Sequence, residues 1–339
     1  MAPTDELEPL TPREGVELYK QDRVDEVSAA TLQSHEYRLE RFINWCERED
    51  IDNLNDVTGR DIQRFKLYRK QKVKPVTVKS QMDTLRVFLR FCEAINGVRD
   101  GLAESVVSPT LDREDNVSEA ILPTEKAETI LAYLDKYHYA TPRHALLRLL
   151  WESGMRMGAA HSIDLDDLYL HDGYLKLKHR PESDTTLKNK KRGERDVALS
   201  PELVLLIQDY IDEHRHDVVD DHGREPLFTT KQGRMTKNTL RYHIYGVTRP
   251  CKFGEECPYD RDPEDCEATY RRYTASKCPD SRSPHAIRRG AITHFLSEDV
   301  PAKVVSDRMN VTTDVLEEHY DARSSQEKMQ QRRNHLPGF

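Results

Sequence analysis

Residues 101–118 lose the helical periodicity that precedes them and gather Gly, Ser, Pro and acidic residues. A composition of this kind is typical of a linker between folded units. A chain of 339 residues is also too long for one ordinary domain and long enough for two. The sequence therefore predicts an acidic N-terminal tail at 1–26, a helical domain at 27–112 and a second domain at 113–339.

Apolar residues recur at helical spacing in the predicted first domain, as at Leu39 and Phe42. The second domain begins with helical patterns that change at 168–178, where alternation around Asp172-Gly173 indicates a β-hairpin. A further strand is expected at 195–199, and helical patterns return after it. We therefore expect a mainly α fold with a small β-sheet (α+β), in which the first domain is all α.

Two features of the sequence concern its surroundings. No window approaches the roughly eighteen consecutive apolar residues of a membrane span, so no membrane partner is expected. The N-terminal segment MAPTDELEPL has neither the basic start nor the apolar run of a secretory signal. We therefore expect a cytoplasmic protein.

The charge of the chain is unevenly distributed. The formal net charge of −8 argues against a bulk nucleic-acid coat protein. Residues 60–90, here called the basic strip, nevertheless carry ten basic residues against two acidic ones. Such a run is most often a solvated helix face, but inside an acidic chain it favours contact with DNA phosphates. The predicted phosphate contacts are Arg64, Lys66, Arg69, Lys70, Lys72, Lys74 and Lys79.

Five short motifs of the second domain are informative through their order. Each is weak alone, because a lone Arg is usually a surface ion-pair residue and a late Tyr usually belongs to the core. The motifs are Gly154-Met155-Arg156, the basic turn 187–195, His285 with Arg288 one helical turn later, Asp307–Asn310, and Glu318-His319-Tyr320. In this order they resemble the tyrosine recombinases, the phage-integrase family, and the chain is similar to its Xer-like and archaeal members, haloarchaeal ones included.

The resemblance implies an N-terminal SAM-like core-binding domain and a C-terminal integrase-type catalytic domain. It implies a site-specific recombinase or integrase that cleaves and rejoins DNA strands through a 3′-phosphotyrosyl intermediate, with Tyr320 as the nucleophile. The expected task is integration or excision of a mobile element or viral DNA. The expected partner is double-stranded DNA carrying a specific recombination site, bound by a tetramer on paired sites.

By the same resemblance, Arg156 and Arg288 stabilise the charge of the transition state, because forked guanidinium donors match phosphate oxygens. His285 binds a phosphate oxygen or carries the proton of the tyrosine. Either Lys188 or Lys190 protonates the leaving 5′-oxygen, and Lys188 is placed first because Leu187-Lys188-Asn189 resembles the family's short turn motif. No divalent metal or nucleotide is required for this catalysis, and the chain has no Walker-type glycine-rich loop.

The sequence departs from the family pattern at two positions. Asn310 falls where the family usually has His or Trp, and Ala159 replaces an acid that often follows the first catalytic Arg. These departures leave open a second reading, a catalytically impaired integrase-like protein that binds DNA as a regulator or accessory factor. A metal-dependent nuclease built on the acidic cluster at 164–167 is a further alternative.

Four of the six cysteines lie close together in the segment 250–280, which is read as an insertion in the catalytic domain. They are separated by five, eight and eleven residues, and zinc tolerates variable spacing between four thiolate ligands. The alternatives are four separate thiols in a loop, or a zinc-finger protein that binds RNA. Because the segment is too polar to fold on apolar burial alone, we expect one structural zinc ion bound by Cys251, Cys257, Cys266 and Cys278.

Overall fold

The computed structural model describes residues 6–112, 120–316 and 320–334. It divides into two compact units, Met1–Val117 and Ser118–Phe339. The sequence placed this division between residues 112 and 113. Residues 113–118 of the predicted linker lie outside the described residues.

The described residues of the first unit form helices and connecting loops, with no strand, and two short 3₁₀ helices accompany its longer helices. The longer ones are α1 (Pro12–Arg23), α2 (Ala29–Arg48), α3 (Gly59–Lys70) and α4 (Pro75–Ala94). Thr58 starts α3 through a capping box, in which its side chain and that of Asp61 each bond to the other's backbone amide. The predicted helical stripes are buried: Leu39, Phe42, Ile43, Ile62, Phe65, Met82, Leu85 and Phe88 form one core.

Helix α1 corrects the prediction of an acidic tail at 1–26. Its Val16 and Tyr19 side chains are buried in the core of the first unit, while Glu14 and Glu17 face solvent. The acidic residues obscured an ordinary amphipathic helix, whose start is marked by Pro12 and by the capping box of the preceding residue. The helical domain therefore begins before residue 27.

The predicted linker also begins too early. Leu102, Ala103 and Val106 are buried in the core of the first unit. The Nε atom of Arg86 donates a hydrogen bond to the carbonyl of Val106 at 3.0 Å. The small and polar residues of this stretch hide any helical period in the sequence. Its few apolar residues still pack against the core.

The second unit is mainly helical. Its helices in chain order are α5 (Thr124–Tyr137), α6 (Pro142–Ser153), α7 (Met157–Ser162), α8 (Pro201–Glu213), α9 (Lys237–Val247), α10 (Glu267–Tyr270), α11 (Pro284–Ser297), α12 (Ala302–Met309), α13 (Thr313–Val315) and α14 (Ser325–Asn334). Helix α6 lies in the middle of the main core, and Leu146, Leu147, Leu149 and Leu150 are all buried. It packs against α5, α8, α9 and α11.

A small antiparallel sheet stands beside these helices, with strand order β1 (Leu168–Tyr169), β2 (Tyr174–Leu177) and β3 (Arg195–Ala198). The predicted hairpin is confirmed, and it turns at Gly173, where the backbone is left-handed with φ of 71°. Leu175 of β2 pairs with Val197 of β3. The long connection from β2 to β3 carries the basic turn. A separate two-stranded ribbon pairs β4 (Thr229–Thr230) with β5 (Gly233–Arg234).

The helices of the described residues share one further property. None of them combines the length and the apolar character that crossing a membrane requires.

Candidate active site

Three segments of the second unit meet around Gly154: the end of α6, the first turns of α11 and the end of α12. Gly154 ends α6 in a left-handed conformation, with φ of 57°. A Cβ atom at this position would collide with the side chain of Met309. Glycine is therefore required here both by the backbone angle and by the close approach of α12.

Arg288, in α11, holds these segments together. Its Nη1 atom donates hydrogen bonds to the carbonyls of Gly154, at 2.6 Å, and Met309, at 2.8 Å. The side chain is 1% exposed, and its Nε and Nη2 atoms have no hydrogen-bond partner among the described residues. Burial and the neighbouring charge of Arg156 lower the pKa of Arg288 to about 10. Two donors of a buried cation are thus left for an anion.

Arg156 directly precedes α7 and is half-buried. Its Nη1 atom donates to the backbone carbonyl of Asn310 at 3.0 Å. Asn310 ends α12 with φ of 50°, in the left-handed region that asparagine tolerates better than most residues. Arg156 and Arg288, which are far apart in sequence, therefore both contact the last turn of α12.

Two further arginines, to which the sequence assigned no role, belong to the same cluster. Arg195 begins β3 and donates from Nε to the carbonyl of Arg308 at 2.7 Å. Arg308 donates from Nη2 to the carbonyl of Glu152 at 3.0 Å. Burial and the charges of Arg288, Arg156 and Arg308 lower the pKa of Arg195 to about 10. The only feature of the sequence that could have indicated their role is that each lies inside one of the five motifs.

The predicted nucleophile Tyr320 lies against the same cluster. Its ring centroid is 5.3 Å from that of His285 and 5.1 Å from Cζ of Arg288. Tyr320 is 6% exposed and packs with Met309, Val311 and Leu316, among others. Its carbonyl accepts a hydrogen bond from Oγ1 of Thr293 in α11 at 2.9 Å.

His285 occupies the first turn of α11 and is exposed to solvent. It lies one helical turn before the buried Arg288, so the two residues present an exposed imidazole and a buried guanidinium to the same tyrosine ring. Two hydrogen bonds join the start of α11 to the segment that precedes α5. Nε of Arg282 donates to the carbonyl of Ile121 at 3.0 Å, and the amide of Leu122 donates to the carbonyl of Ala286 at 3.1 Å.

Lys188 and Lys190 lie in the connection from β2 to β3, and both side chains are exposed. Between them, Nδ2 of Asn189 donates to Oδ1 of Asn310 at 3.0 Å. Lys188, Lys190 and Asn310 line one surface cleft, and Asn189, Arg195 and Asn310 line the neighbouring cleft. The turn that carries both lysines is thus tied to the end of α12.

The two departures from the family pattern have clear positions. Asn310 is half-exposed at the clefts, whereas the next residue, Val311, is 7% exposed and packs in the cluster around Tyr320. Of the two, only Asn310 presents a polar side chain to the clefts. Ala159 is 7% exposed within the main core, where an unpaired carboxylate would be costly.

The acidic cluster at 164–167 is engaged by arginines. Nη2 of Arg180 lies 2.6 Å from Oδ1 of Asp167, and Nη1 of Arg224 lies 3.2 Å from Oδ2 of Asp164. Asp164 and Asp167 are both buried, while Asp166 is exposed. Because the buried carboxylates are neutralised by guanidiniums, this cluster supports the nuclease alternative poorly.

The basic strip contains two kinds of cation. Nη2 of Arg64 lies 2.6 Å from Glu49 Oε2, and Nζ of Lys79 lies 3.0 Å from Asp83 Oδ2. Arg69 donates from Nε to Gln81 Oε1 at 2.9 Å, and Lys72 donates to the Tyr68 hydroxyl at 2.9 Å. Among the described residues, no ion pair joins an acidic group to Lys66, Lys70, Lys72 or Lys74, of which Lys66 is half-buried and the others exposed.

The four cysteines of the segment 250–280 are free thiols, and all four line one small cavity. Within the described ranges, no three His, Cys, Asp or Glu side chains stand close enough together to hold a metal ion. The structure therefore brings the four predicted ligands to a common cavity but does not bring them to ligand distances.

Comparisons with known proteins concern the family and the two units of the chain. Residues 20–94 match the sequence profile of the phage integrase N-terminal SAM-like domain, and residues 120–253 match that of the phage integrase family. The tyrosine recombinase XerC of Natranaerobius thermophilus is 21% identical over 292 residues, which cover 83% of this chain and 84% of the relative. The tyrosine recombinase XerD of Oceanobacillus iheyensis is 23% identical over 289 residues, 84% of each chain.

Solved structures share the fold. The Tn1549 transposon integrase in complex with transposon right end DNA superposes with a TM-score of 0.65 at 13% identity, covering 96% of this chain and 99% of that one. A lambda integrase dimer bound to a COC′ core site gives a TM-score of 0.63 at 12% identity, covering 95% of this chain and 80% of that one. The predicted fold class is therefore confirmed: a SAM-like helical domain followed by an integrase-type catalytic domain.

Proposed function

Since the chain belongs to the tyrosine recombinase family, we propose that it is a site-specific recombinase that cleaves and rejoins DNA strands through a covalent bond between Tyr320 and a 3′-phosphate. The observation that carries this proposal is the packing of the Tyr320 ring against both Arg288 and His285. The contacts of this ring with a guanidinium and an imidazole support a role for Tyr320 as the nucleophile.

The reaction exchanges one phosphoester for another. The Tyr320 oxygen attacks phosphorus. A bond forms between the tyrosine oxygen and phosphorus, and the bond from phosphorus to the 5′-oxygen breaks. The hydroxyl proton leaves the tyrosine, and the departing 5′-oxygen gains a proton. Because the phosphoester is retained, a 5′-hydroxyl from a second strand can reverse the step without any other source of energy.

The guanidiniums of Arg156, Arg195, Arg288 and Arg308 stabilise the negative charge that develops on the phosphate oxygens during this step. Arg288 offers two unpartnered donors in a buried setting, where a hydrogen bond to a phosphate oxygen is strong. Arg156 is held beside it through the carbonyl of Asn310. Arg195 and Arg308 add positive potential to the same place. A phosphate bound there would offset the repulsion among these cations, which favours the transition state over the free enzyme.

Proton transfer requires groups at the edge of this cluster. His285, which is solvent-exposed beside Tyr320, is suited to accept the tyrosine proton or to bind a phosphate oxygen. Lys188 or Lys190 would supply the proton to the leaving oxygen. The amide of Asn310 would take the place of the family's His or Trp as a hydrogen-bond donor.

The proposed substrate is double-stranded DNA carrying a specific recombination site. The solved structures most useful for comparison include integrases bound to DNA. We assign the unpaired lysines of the basic strip to phosphate contacts, a tetramer on paired sites to the active assembly, and integration or excision of mobile or viral DNA in the cytoplasm to the biological task.

A suicide substrate with a nick near the cleavage site tests the nucleophile, because the small released fragment prevents religation. Wild type should accumulate a covalent protein–DNA adduct, and Tyr320→Phe should form none while still binding and folding normally. The ring that fills the cluster remains in this variant. Tyr245→Phe, which removes the hydroxyl of a half-buried tyrosine in α9, serves as the control. An adduct formed by Tyr320→Phe would contradict the proposal.

Asn310 supports a second candidate, an integrase-like regulator that binds DNA without cleaving it. The same assay separates the two functions. If the protein is such a regulator, wild type would bind its site and form no adduct, and Tyr320→Phe would behave as wild type in every measurement.

A further inference from the structure

The segment 250–280 has an unusual burial pattern. Cys251, Cys257, Cys266 and Cys278 are each half-buried, although most of the residues beside them in sequence are exposed. Cys266 directly precedes α10, and Cys278 directly follows a 3₁₀ helix at Arg272–Lys277. Four thiols from four separate places in an otherwise exposed stretch thus turn towards a common interior.

That interior is a cavity of about 20 Å³. A space of this size holds roughly one water-sized particle. All four cysteines line it, together with Arg249 and Arg261. The cavity therefore matches one bound ion in size, and its thiol lining is suited to a thiophilic metal.

The segment has little else to hold it together. Its buried apolar residues are Pro250, Phe253, Ala268 and Ala275, and its regular elements are short 3₁₀ helices and the four-residue α10. Residues 258–265 are exposed without exception. Apolar burial on this scale is small compared with the conformational entropy of ordering such a stretch. A metal cross-link would supply the missing stabilisation.

The charged side chains that line the cavity, Arg249 and Arg261, are both cationic, although the segment 250–280 as a whole carries eight acidic and five basic residues. Four thiolates around a divalent ion carry a net charge of −2, which nearby cations stabilise. Arg249 is 7% exposed and donates to the backbone carbonyls of Gly246 and Ala268, which fixes its position beside the cavity. Arg261 lines the same cavity from the exposed part of the loop.

From these observations we propose that Cys251, Cys257, Cys266 and Cys278 bind one structural zinc ion. Because zinc–sulfur bonds are about 2.3 Å long, the four thiols must move closer together than they stand in this structure. Metal binding is coupled to the folding of the segment that supplies the ligands, so we expect this contraction to accompany binding. Binding replaces the thiol protons by zinc and involves no redox change. The proposal does not rest on the recombinase function.

The proposed zinc site should affect His285 and Arg288 only weakly. The start of α11 is held by hydrogen bonds to residues outside the segment 250–280. The amide of Arg282 donates to Oγ1 of Thr248 at 2.8 Å, and the amide of Leu122 donates to the carbonyl of Ala286. Loss of zinc is therefore expected to unfold the segment 250–280 more than it displaces His285 and Arg288.

Metal content of the full-length protein tests the proposal directly. Protein purified without chelator should contain about one zinc per chain and no iron. Removal of zinc followed by addition of cobalt(II) should produce the visible absorption of a tetrahedral thiolate site, saturating at one ion. Chelation should also expose residues 258–265 to proteolysis sooner than the rest of the second unit.

Cys266→Ser should lose most of the bound zinc, and Cys46→Ala should keep it, because Cys46 is buried in the core of the first unit. Cobalt titration of wild type keeps the test decisive if Cys266→Ser fails to fold. Three results would each overturn the proposal: wild type that takes up neither metal, iron in place of zinc, or disulfides between these cysteines in freshly purified protein under non-reducing conditions.

Discussion

The side chains of Asn189 and Asn310 are joined by a hydrogen bond, from Nδ2 of Asn189 to Oδ1 of Asn310 at 3.0 Å. This bond links the turn that carries Lys188 and Lys190 to the last residue of α12. The backbone carbonyl of Asn310 meanwhile accepts from Arg156. One asparagine therefore connects the predicted general acids to a predicted catalytic arginine.

We expect Asn189 to act through Asn310. Asn189→Ala and Asn310→Gly should each slow single-turnover cleavage by about tenfold, and the double variant should be no slower than the slower single variant. Glycine is chosen at 310 because it keeps the left-handed backbone and removes only the amide side chain. Fully additive losses would show that the two residues act independently.

Arg288→Lys and Arg156→Lys should differ in stability while both slow cleavage by at least about a hundredfold. Lysine cannot reproduce the bonds from Arg288 to the two buried carbonyls, so we expect this variant to lose about 1–3 kcal/mol of unfolding free energy. Arg156 is half-buried and contacts one carbonyl, so its variant should lose less. Urea denaturation and cleavage rates measured on the same preparations test this order.

The choice between Lys188 and Lys190 can be made with a modified leaving group. Replacing the general acid with Ala should slow cleavage of ordinary DNA by about 10²–10⁴-fold. A substrate with sulfur at the 5′-bridging position should restore the rate, because a thiolate leaves without a proton. We expect this rescue for Lys188→Ala, with Lys191→Ala as the control from the same turn. Rescue of Lys190→Ala alone would reverse the assignment.

The unpaired lysines of the basic strip should govern the salt dependence of DNA binding. Changing Lys66, Lys70 and Lys74 to Gln should lower the slope of log K against log salt concentration by about one unit for each lost phosphate contact. The control changes Arg64 and Lys79 to Gln, whose charges are already offset by acidic neighbours. A slope unchanged from wild type in the lysine variant would return the strip to a solvated surface.

Asp220 should make stability depend on pH. Burial raises the pKa of its carboxyl, but hydrogen bonds from Arg234 and from backbone amides outweigh burial and hold the pKa well below its usual range. The stabilisation is therefore complete above the unfolded pKa of about 4 and is lost as pH falls towards the folded value. Asp220→Asn should lower the unfolding free energy at pH 7 by about 1–3 kcal/mol.

The difference between Asp220→Asn and wild type should shrink as urea denaturation is repeated at lower pH. Asp221→Asn, at the exposed neighbouring position, should behave as wild type throughout. A constant difference between Asp220→Asn and wild type down to pH 2 would assign the effect to packing and not to the carboxylate charge.

Much of the helical architecture was predictable because its signals are local. The spacing of Leu39 and Phe42 fixes which face of α2 is buried, and Gly173 marks the hairpin by its preference for a left-handed backbone. Helix α1 was not predicted, because the acidic residues of 1–26 are typical of a solvated tail and its start is marked only by a capping box and Pro12. The division at 101–118 was predicted, but the contacts of Leu102 and Val106 with the first core depend on surfaces from other helices.

The candidate site divides in the same way. The sequence by itself determined which chemical groups are present: Arg156, His285, Arg288 and Tyr320 stand in an order that the family shares. Only the tertiary structure decided that Arg195 and Arg308 join them, that Asn189 holds Asn310, and that four cysteines line one cavity. The physical reason is that sequence spacing sets the neighbours along one helix or strand, whereas the contacts of a site depend on how distant elements pack, and packing is a property of the whole core.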